Sequence, residues 1–226
     1  MNSNKLSERL LAAAAFVRQG SVVADVGSDH AYLPIYLCNL GKIRRAVASD
    51  INEGPVARAM INVGGAGLSK KITVLRAAGL CGIEKFSPDD IVICGMGGEL
   101  IRDIIADATW TKNRKIRLIL QPMTHAEKLR AFLLEEGYTI IGESLVKEDK
   151  IYQIISAEYT GESEAYSPVE LIFGRKNIIA DTPVFREYAA YVKGVYETRR
   201  RGKLLSGGNA EEEDSLLLEI DRILKG

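Results

Sequence analysis

A short loop near the start of the chain holds the residues with the clearest chemical potential. Residues 25–34 read DVGSDHAYLP and follow the apolar run of residues 22–24. A turn of this kind between a strand and a helix typically binds phosphate through two or three glycines. Here Gly27 alone remains, and Asp29 and His30 stand where the next glycine would be. The loop therefore offers a carboxylate and an imidazole to its ligand in addition to backbone N–H groups.

Small or polar residues also follow four later apolar runs of the chain. Asp50 stands at the distance from Asp25 where a carboxylate binds ribose hydroxyls in nucleotide-binding folds. The small residues 77–79 leave room for an adenine ring. The last two stretches read Gly95-Met96-Gly97-Gly98 and Gln121-Pro122-Met123. If each run is a strand of one parallel sheet, all five stretches meet at the carboxyl edge, where ligands bind.

The apolar runs have the length and composition of strands, and helical patterns lie between the first five of them. This alternation predicts βαβ units and a mostly parallel sheet. Only residues 145–151 separate the last two runs, which allows a hairpin whose final strand is antiparallel at or near the sheet edge. We therefore predict an α/β fold with a Rossmann-like class I methyltransferase sheet of seven strands, the last antiparallel. The predicted strands are Ser21–Val26, Ala46–Asp50, Ile72–Arg76, Asp90–Cys94, Arg117–Leu120, Thr139–Ser144 and Tyr152–Ala157, and the predicted helices span 33–40, 54–67, 98–107 and 124–136.

The chemistry of the first loop discriminates between nucleotide cofactors. A dinucleotide diphosphate requires a glycine-rich turn and a bare helix N-terminus, and the carboxylate of Asp29 would repel it. S-adenosylmethionine has no phosphate and carries an ammonium and a sulfonium, so Asp25 and Asp29 are favourable partners for it. The loop is therefore predicted to bind a cationic ligand. The alternative is that Asp29 or Ser28 only caps the following helix.

Length and composition exclude several classes of protein. The chain has 226 residues, of which 46% are hydrophobic and 27% charged, as in an ordinary globular protein. It has no apolar run of roughly 18 residues, so no membrane-spanning helix is expected. Residues 1–20 read as an amphipathic helix instead of a secretory signal. The three cysteines form no CxxC pair, which argues against a disulfide framework or a zinc site and favours a cytoplasmic location.

The pattern changes near residue 160, where turn and polar residues indicate a linker. From Pro183 apolar residues recur at helical spacing, and a second helical segment follows the turn at residues 206–209. We predict a catalytic, cofactor-binding domain over residues 1–160, then a linker and an antiparallel helical hairpin of coiled-coil type over residues 161–226. The alternative is that both helices pack on the sheet. Because the formal net charge is zero, an RNA partner requires a local basic patch, and the densest basic cluster is Arg199, Arg200, Arg201 and Lys203.

Taken together, the motifs resemble one known family. The stretches DVGSDHAYLP, SDINEGPVARAMINV, CGMGGELI and LILQP occur in the order and spacing of the bacterial tRNA adenine-22 N1-methyltransferases. The resemblance covers the whole chain, including a C-terminal helical hairpin. It implies an enzyme that uses S-adenosylmethionine to methylate N1 of adenine 22 in tRNA. The expected partners are this cofactor and tRNA, with no metal and no membrane, and the oligomeric state stays open with a monomer favoured.

The resemblance also implies roles for individual residues. Asp29 and His30 are expected beside the reacting methyl group and adenine, although His30 serving only to fix the loop backbone is the alternative. Tyr32 is expected either to stack on the target base or to pack behind the loop. The expected cofactor-binding residues are Asp25, Gly27, Ser28, Asp29, His30, Asp50, Ile51, Ala78, Gly79, Gly95, Met96 and Gly97. The expected substrate-binding residues are Tyr32, Gln121, Pro122, Arg199, Arg200, Arg201 and Lys203.

Two positions depart from the usual pattern of the family. Met123 follows Gln121-Pro122 where an asparagine is frequent, and Ala78 precedes Gly79 where an asparagine is also frequent. The missing amides remove possible contacts to the cofactor adenine or the target base.

Three other functions are compatible with parts of the pattern. A methyltransferase for another RNA or a small molecule would share the cofactor loop, and one for a small molecule would need no basic arm. A nicotinamide-dependent oxidoreductase fits the sheet but not Asp29 and the missing glycines. A non-catalytic RNA-binding protein would keep the basic clusters but should not bind S-adenosylmethionine.

Overall fold

The structure is a computed structural model that describes residues 6–225. The first five residues of the predicted N-terminal helix and the last residue of the chain lie outside this described part. The chain divides into two compact units between Glu164 and Ala165. The division falls a few residues after the boundary expected near residue 160.

The first unit is built on a sheet of seven strands, in agreement with the prediction. The strands are β1 (Ser21–Val26), β2 (Ile43–Asp50), β3 (Ile72–Arg76), β4 (Asp90–Met96), β5 (Arg117–Pro122), β6 (Tyr138–Lys147) and β7 (Ile151–Tyr159). Their spatial order is β3-β2-β1-β4-β5-β7-β6. β1 to β5 are parallel, whereas β7 lies antiparallel between β5 and β6. The predicted antiparallel last strand is confirmed, and it lies one position inside the edge formed by β6.

The apolar pattern of the sequence predicted the bounds of some strands but not of others. β1 and β3 have the predicted bounds. β2 begins at Ile43 instead of Ala46, because Arg44 and Arg45 are exposed and interrupt the apolar run although both belong to the strand. β6 and β7 are likewise longer than predicted, since partly exposed residues extend both arms of the hairpin.

Helices cover the sheet, which explains why every residue of β1 is buried. They are α1 (Glu8–Phe16), α2 (Tyr32–Asn39), α3 (Glu53–Gly65), α4 (Gly98–Asp107) and α5 (Ala126–Glu135), with short 3₁₀ helices at Ile83–Phe86 and Thr109–Thr111. α1, α2 and α3 share one apolar cluster with Val23, Ala48 and Val92 of the sheet. α4 and α5 pack against each other and against β5 and β6. No helix in residues 6–225 is both long and apolar enough to span a membrane.

The second unit is helical, with α6 (Pro168–Phe173), α7 (Arg175–Ala180), α8 (Pro183–Leu205) and α9 (Glu211–Lys225). Ion pairs of 2.6 Å join Lys193 to Asp221 and Lys203 to Glu213, so α8 and α9 run antiparallel. The predicted helical hairpin is confirmed.

The segment that precedes the hairpin is more ordered than the predicted linker. Ser167 and Glu170 form a capping box that starts α6, a signal that the sequence SPVE carries. At the end of α6, Phe173 is buried and packs edge-to-face on Phe185 and Tyr188 of α8, with ring centroids 5.7 and 5.8 Å apart. These aromatic contacts give the unit a core of its own.

Candidate active site

A cavity of about 810 Å³ opens at the carboxyl edge of the sheet. The chain passes from β1 outward to β2 and β3 and then returns to β4 on the other side of β1. The gap between β1 and β4 is therefore the topological switch point, where α/β sheets bind their ligands. The cavity has the size of a typical small-molecule site. Of the predicted cofactor-binding residues, six line it: Gly27, Asp50, Ile51, Ala78, Gly79 and Met96.

Asp50 and Ile51 form one side of the cavity. One carboxylate oxygen of Asp50, Oδ1, accepts a 2.7 Å hydrogen bond from the backbone N–H of Asn52. That bond orients the carboxylate and leaves its other oxygen for a ligand. Ile51 is 58% exposed and provides apolar surface at the cavity.

The charged residues of the cavity lining are all acidic. Four carboxylates line it, and among the described lining residues none is a lysine, arginine or histidine. Asp103 is paired with Arg102, whose guanidinium stands outside the lining. The remaining carboxylates, Asp50, Glu84 and Asp107, favour a cationic ligand and disfavour a diphosphate.

An apolar wall of the cavity was not foreseen in the sequence. Leu100 and Ile104 of α4 and Trp110 of the next 3₁₀ helix form it. None of them directly follows a strand, so the search of strand ends missed them. The helical spacing of Leu100 and Ile104 was the available signal, because residues four apart share one helix face.

The turn after β1 is built around Gly27. Its φ angle is +76°, and a Cβ atom there would lie 2.2 Å from Cε of Met96. The backbone conformation therefore favours glycine, and any side chain at this position would also have to displace the end of the Met96 side chain. Behind the turn, Asp25 and Ser28 are buried and lie outside the cavity lining. Burial raises the pKa of Asp25 to about 6, and the hydrogen bond from Ser28 offsets part of that rise.

Asp29 and His30 lie outside the cavity lining and form a cluster with Tyr32 and Arg58. Nε2 of His30 is 3.2 Å from Oδ2 of Asp29, and Arg58 of α3 binds Oδ1. The His30 and Tyr32 rings are stacked, with centroids 4.8 Å apart and planes 7° apart. The alternative that Asp29 or Ser28 caps α2 is wrong. The N-cap is Ala31 in the left-handed region, and no side chain caps it.

Comparison with known proteins places this fold and cavity in a family. A family model described as a methyltransferase domain matches residues 6–155. The tRNA (adenine(22)-N(1))-methyltransferase of Bacillus subtilis (strain 168) is 41% identical over 175 residues, which cover 77% of this chain and 74% of that protein. The chain belongs to the tRNA (adenine(22)-N(1))-methyltransferase family. The family predicted from the motifs is confirmed.

Two solved structures of this family match the chain over nearly its whole length. The B. subtilis M1A22 tRNA methyltransferase TrmK has a TM-score of 0.82 and 32% identity, covering 99% of this chain and 97% of that one. M. capricolum TrmK, in complex with the cofactor product S-adenosyl-homocysteine, has a TM-score of 0.79 and 28% identity, covering 97% and 96%. The cofactor predicted from the acidic residues of the first loop, S-adenosylmethionine, is confirmed for this family.

The stretch Gly95-Met96-Gly97-Gly98 begins inside β4, and its first residue is held by a side chain of β5. Oε1 of Gln121 accepts hydrogen bonds from the backbone N–H of Gly95 at 3.1 Å and from Nη1 of Arg9 at 3.0 Å. Gln121 has no exposed surface, and Pro122 is also buried. Both residues, predicted to bind substrate, are buried, and Gln121 holds the backbone at Gly95. Gly97 is the N-cap of α4.

Arg9 is a further residue that no sequence motif indicated. It lies in α1, and its guanidinium is also 5.8 Å from the centroid of the Tyr152 ring. A long sequence separation hides this cation from any local motif.

The basic cluster of the family's C-terminal hairpin is partly neutralised. Arg200 pairs with Asp214, and Lys203 pairs with Glu213. Arg199 lies over the ring of Tyr196, with 5.1 Å between Cζ and the ring centroid. Arg201 is exposed and forms no ion pair within residues 6–225. Across the same residues, no group of three or more histidine, cysteine or acidic side chains is arranged to hold a metal ion.

Proposed function

We propose that this protein transfers a methyl group from S-adenosylmethionine to N1 of adenine 22 in tRNA. The observation that carries the proposal is the acidic cavity at the β1–β4 switch point, found in a chain of this family. S-adenosylmethionine carries a net positive charge and no phosphate, so it matches a lining with carboxylates and no basic side chain.

The cavity residues suit the parts of this cofactor. Asp50 has a free carboxylate oxygen for the ribose hydroxyls. The small residues Ala78 and Gly79, together with the apolar wall at Leu100 and Ile104, suit an adenine ring. The bound cofactor supplies an electrophilic methyl group on a sulfonium.

The substrate needs little acid or base catalysis. N1 of adenine has an in-plane lone pair, so bond formation requires no strong base. Asp29 is proposed to accept a hydrogen bond from the adenine amino group and to stabilise the positive charge that grows on the ring. His30, stacked on Tyr32 and in contact with Asp29, holds that carboxylate in place. Catalysis then depends mainly on positioning.

Reaching adenine 22 requires binding energy from the rest of the tRNA. Extruding a base from a folded nucleic acid costs a few kcal/mol. We propose that Arg199 and Arg201 of the hairpin contact the phosphate backbone and help to offset this cost. Arg200 and Lys203 contribute less, because their charges already serve the ion pairs between α8 and α9.

A tRNA substrate also implies a cytoplasmic location for the protein. We favour a monomer, and sedimentation of the purified protein would check its oligomeric state.

The decisive experiment is methyl transfer from labelled S-adenosylmethionine to a tRNA transcript with adenine at position 22. The matched control is the same transcript with guanine there. Label in the first transcript only, identified as N1-methyladenine, is the expected result. Label in both would place the target elsewhere in the tRNA. Label in neither, with the cofactor still bound by calorimetry, would overturn the proposal and favour another substrate.

A further inference from the structure

Helix α3 holds the Asp29–His30 loop through two side chains one helical turn apart. Arg58 donates to Oδ1 of Asp29 from Nη2 and, at 3.1 Å, from Nε. Asn62 donates from Nδ2 to the backbone carbonyl of His30 at 3.0 Å. Because positions four apart share one helix face, the two side chains hydrogen-bond to consecutive residues of the loop.

These contacts leave Asp29 with little spare capacity for hydrogen bonds. A carboxylate offers about four acceptor positions. Arg58 occupies both positions on Oδ1, and His30 takes one on Oδ2 at 3.2 Å when its Nε2 carries the proton. One position on Oδ2 remains, on a side chain that is 54% exposed. Because two N–H groups of the planar guanidinium converge on Oδ1 while Nε2 of His30 contacts Oδ2, the carboxylate is held at both oxygens, and this fixes the direction in which the last position points.

We propose that Arg58 is a positioning residue that aims the remaining acceptor of Asp29 at the amino group of the target adenine. This inference rests on the proposed function. An acceptor at this place favours adenine, whose amino group donates, over guanine, which has an oxygen acceptor at the same ring position. Arg58 therefore sets both the rate of methyl transfer and part of the selectivity for the base. Asn62 keeps the loop backbone in the register that this geometry requires.

Replacing Arg58 tests the positioning role directly. We expect R58A to lower kcat for tRNA methylation about 10- to 100-fold, with less than about threefold change in KM for tRNA and in Kd for the cofactor. R58K should restore only part of the loss, because an ammonium is a point charge without a fork. R44A is the matched control. Arg44 is also an exposed arginine of the first unit paired with a carboxylate, Asp89 at 2.9 Å, and it should retain kcat.

A double-mutant cycle with D29N shows whether Arg58 acts through Asp29. The expected result is that D29N/R58A loses no more kcat than D29N alone. Losses that multiply in the double variant would overturn the inference. A rise in KM for tRNA with unchanged kcat in R58A would also overturn it, because Arg58 would then be a phosphate contact.

Two further measurements distinguish a failure of this inference from a failure of the proposed function and from misfolding of a variant. Wild-type protein that methylates no tRNA would overturn both proposals together, whereas active wild-type protein with a multiplicative cycle would overturn only the role of Arg58. Thermal unfolding identifies a variant that has lost its fold, and in that case R58K supplies the cycle in place of R58A.

Discussion

The hydroxyl of Ser28 donates a 2.5 Å hydrogen bond to the buried carboxylate of Asp25, directly behind the turn at Gly27. Burial raises the pKa of Asp25 from its ordinary value of 3.8 to about 6, with Ser28 lowering it in part. The charged carboxylate is therefore costly in the folded protein without a ligand. A nearby cation would reduce that cost, so we expect this position to link stability, pH and cofactor binding.

Replacing Asp25 by asparagine should stabilise the ligand-free protein at alkaline pH. Because the folded-state pKa is raised, the stability linked to this group is greatest below about pH 4 and is lost as pH rises through 6. At pH 8 the charged form costs on the order of 3 kcal/mol. We expect D25N to raise the free energy of unfolding by roughly 1 to 3 kcal/mol at pH 8 and by much less at pH 4, measured by urea titration. An equal gain at both values would contradict a raised pKa.

Cofactor binding should show the opposite dependence on the same proton. The ionised carboxylate attracts the cationic cofactor, so the affinity of the wild-type protein should rise between about pH 5 and pH 8. D25N should bind S-adenosylmethionine more weakly at pH 8 and lack this rise, as measured by calorimetry. S28A is the matched variant, because removing the hydrogen bond should move the rise to higher pH. A wild-type affinity that stays flat with pH would rule out electrostatic attraction by Asp25.

Gly98 should be the least replaceable residue of the GMGG turn. A Cβ atom at this position would lie 2.5 Å from the carbonyl oxygen of His125 and 2.7 Å from that of Thr124. G98A should therefore displace α4, which carries one wall of the cavity, and lower both the melting temperature and cofactor affinity.

The control for this substitution is Gly64, near the end of α3. A Cβ atom there meets nothing within 4 Å. G64A should leave cofactor affinity unchanged and raise stability by up to about 1 kcal/mol through helix propensity. Equal melting temperatures for G98A and the wild-type protein would show that α4 can move without cost.

The four basic residues of the hairpin should fall into two pairs that contribute differently to tRNA binding. Replacing Arg199 and Arg201 by alanine should weaken tRNA binding and reduce the slope of log affinity against log salt by about 2. Cofactor affinity should not change. Replacing Arg200 and Lys203 removes the same charge, but it should reduce the slope less, because both already pair with acidic residues of α9. Equal slopes for the two double variants would show that only the total charge of the hairpin matters.

Local patterns identified those site residues whose position depends on a strand end. Gly27 directly follows β1, Asp50 and Met96 are the last residues of β2 and β4, and Gly79 lies shortly after β3. Parallel pairing brings these strand ends to one edge, where all four residues line the cavity. Apolar periodicity was enough to find the strands, so these residues were found as well. The capping box at Ser167 is equally local and indicates the start of α6, within the segment predicted as a linker.

The site residues that the sequence motifs did not indicate reach the site through packing between elements that are distant in the chain. Arg58 meets Asp29 from α3, and Arg9 meets Gln121 from α1, across wide separations in the chain. Leu100 and Trp110 reach the cavity only through the way α4 packs on the sheet. No single motif records these approaches, because they depend on the angles and distances between packed elements.

The sequence by itself determined the α/β class, the cofactor chemistry and the family, because strand periodicity and the residues of each turn are local properties. Only the tertiary structure decided which side chains line the cavity and which support the turns. Gln121 and Asp29 show the difference, since each is a polar residue of a family motif. Packing buries the first beneath Gly95 and leaves the second half-exposed with both oxygens engaged. Burial and hydrogen-bond partners are properties of the assembled sheet and helices.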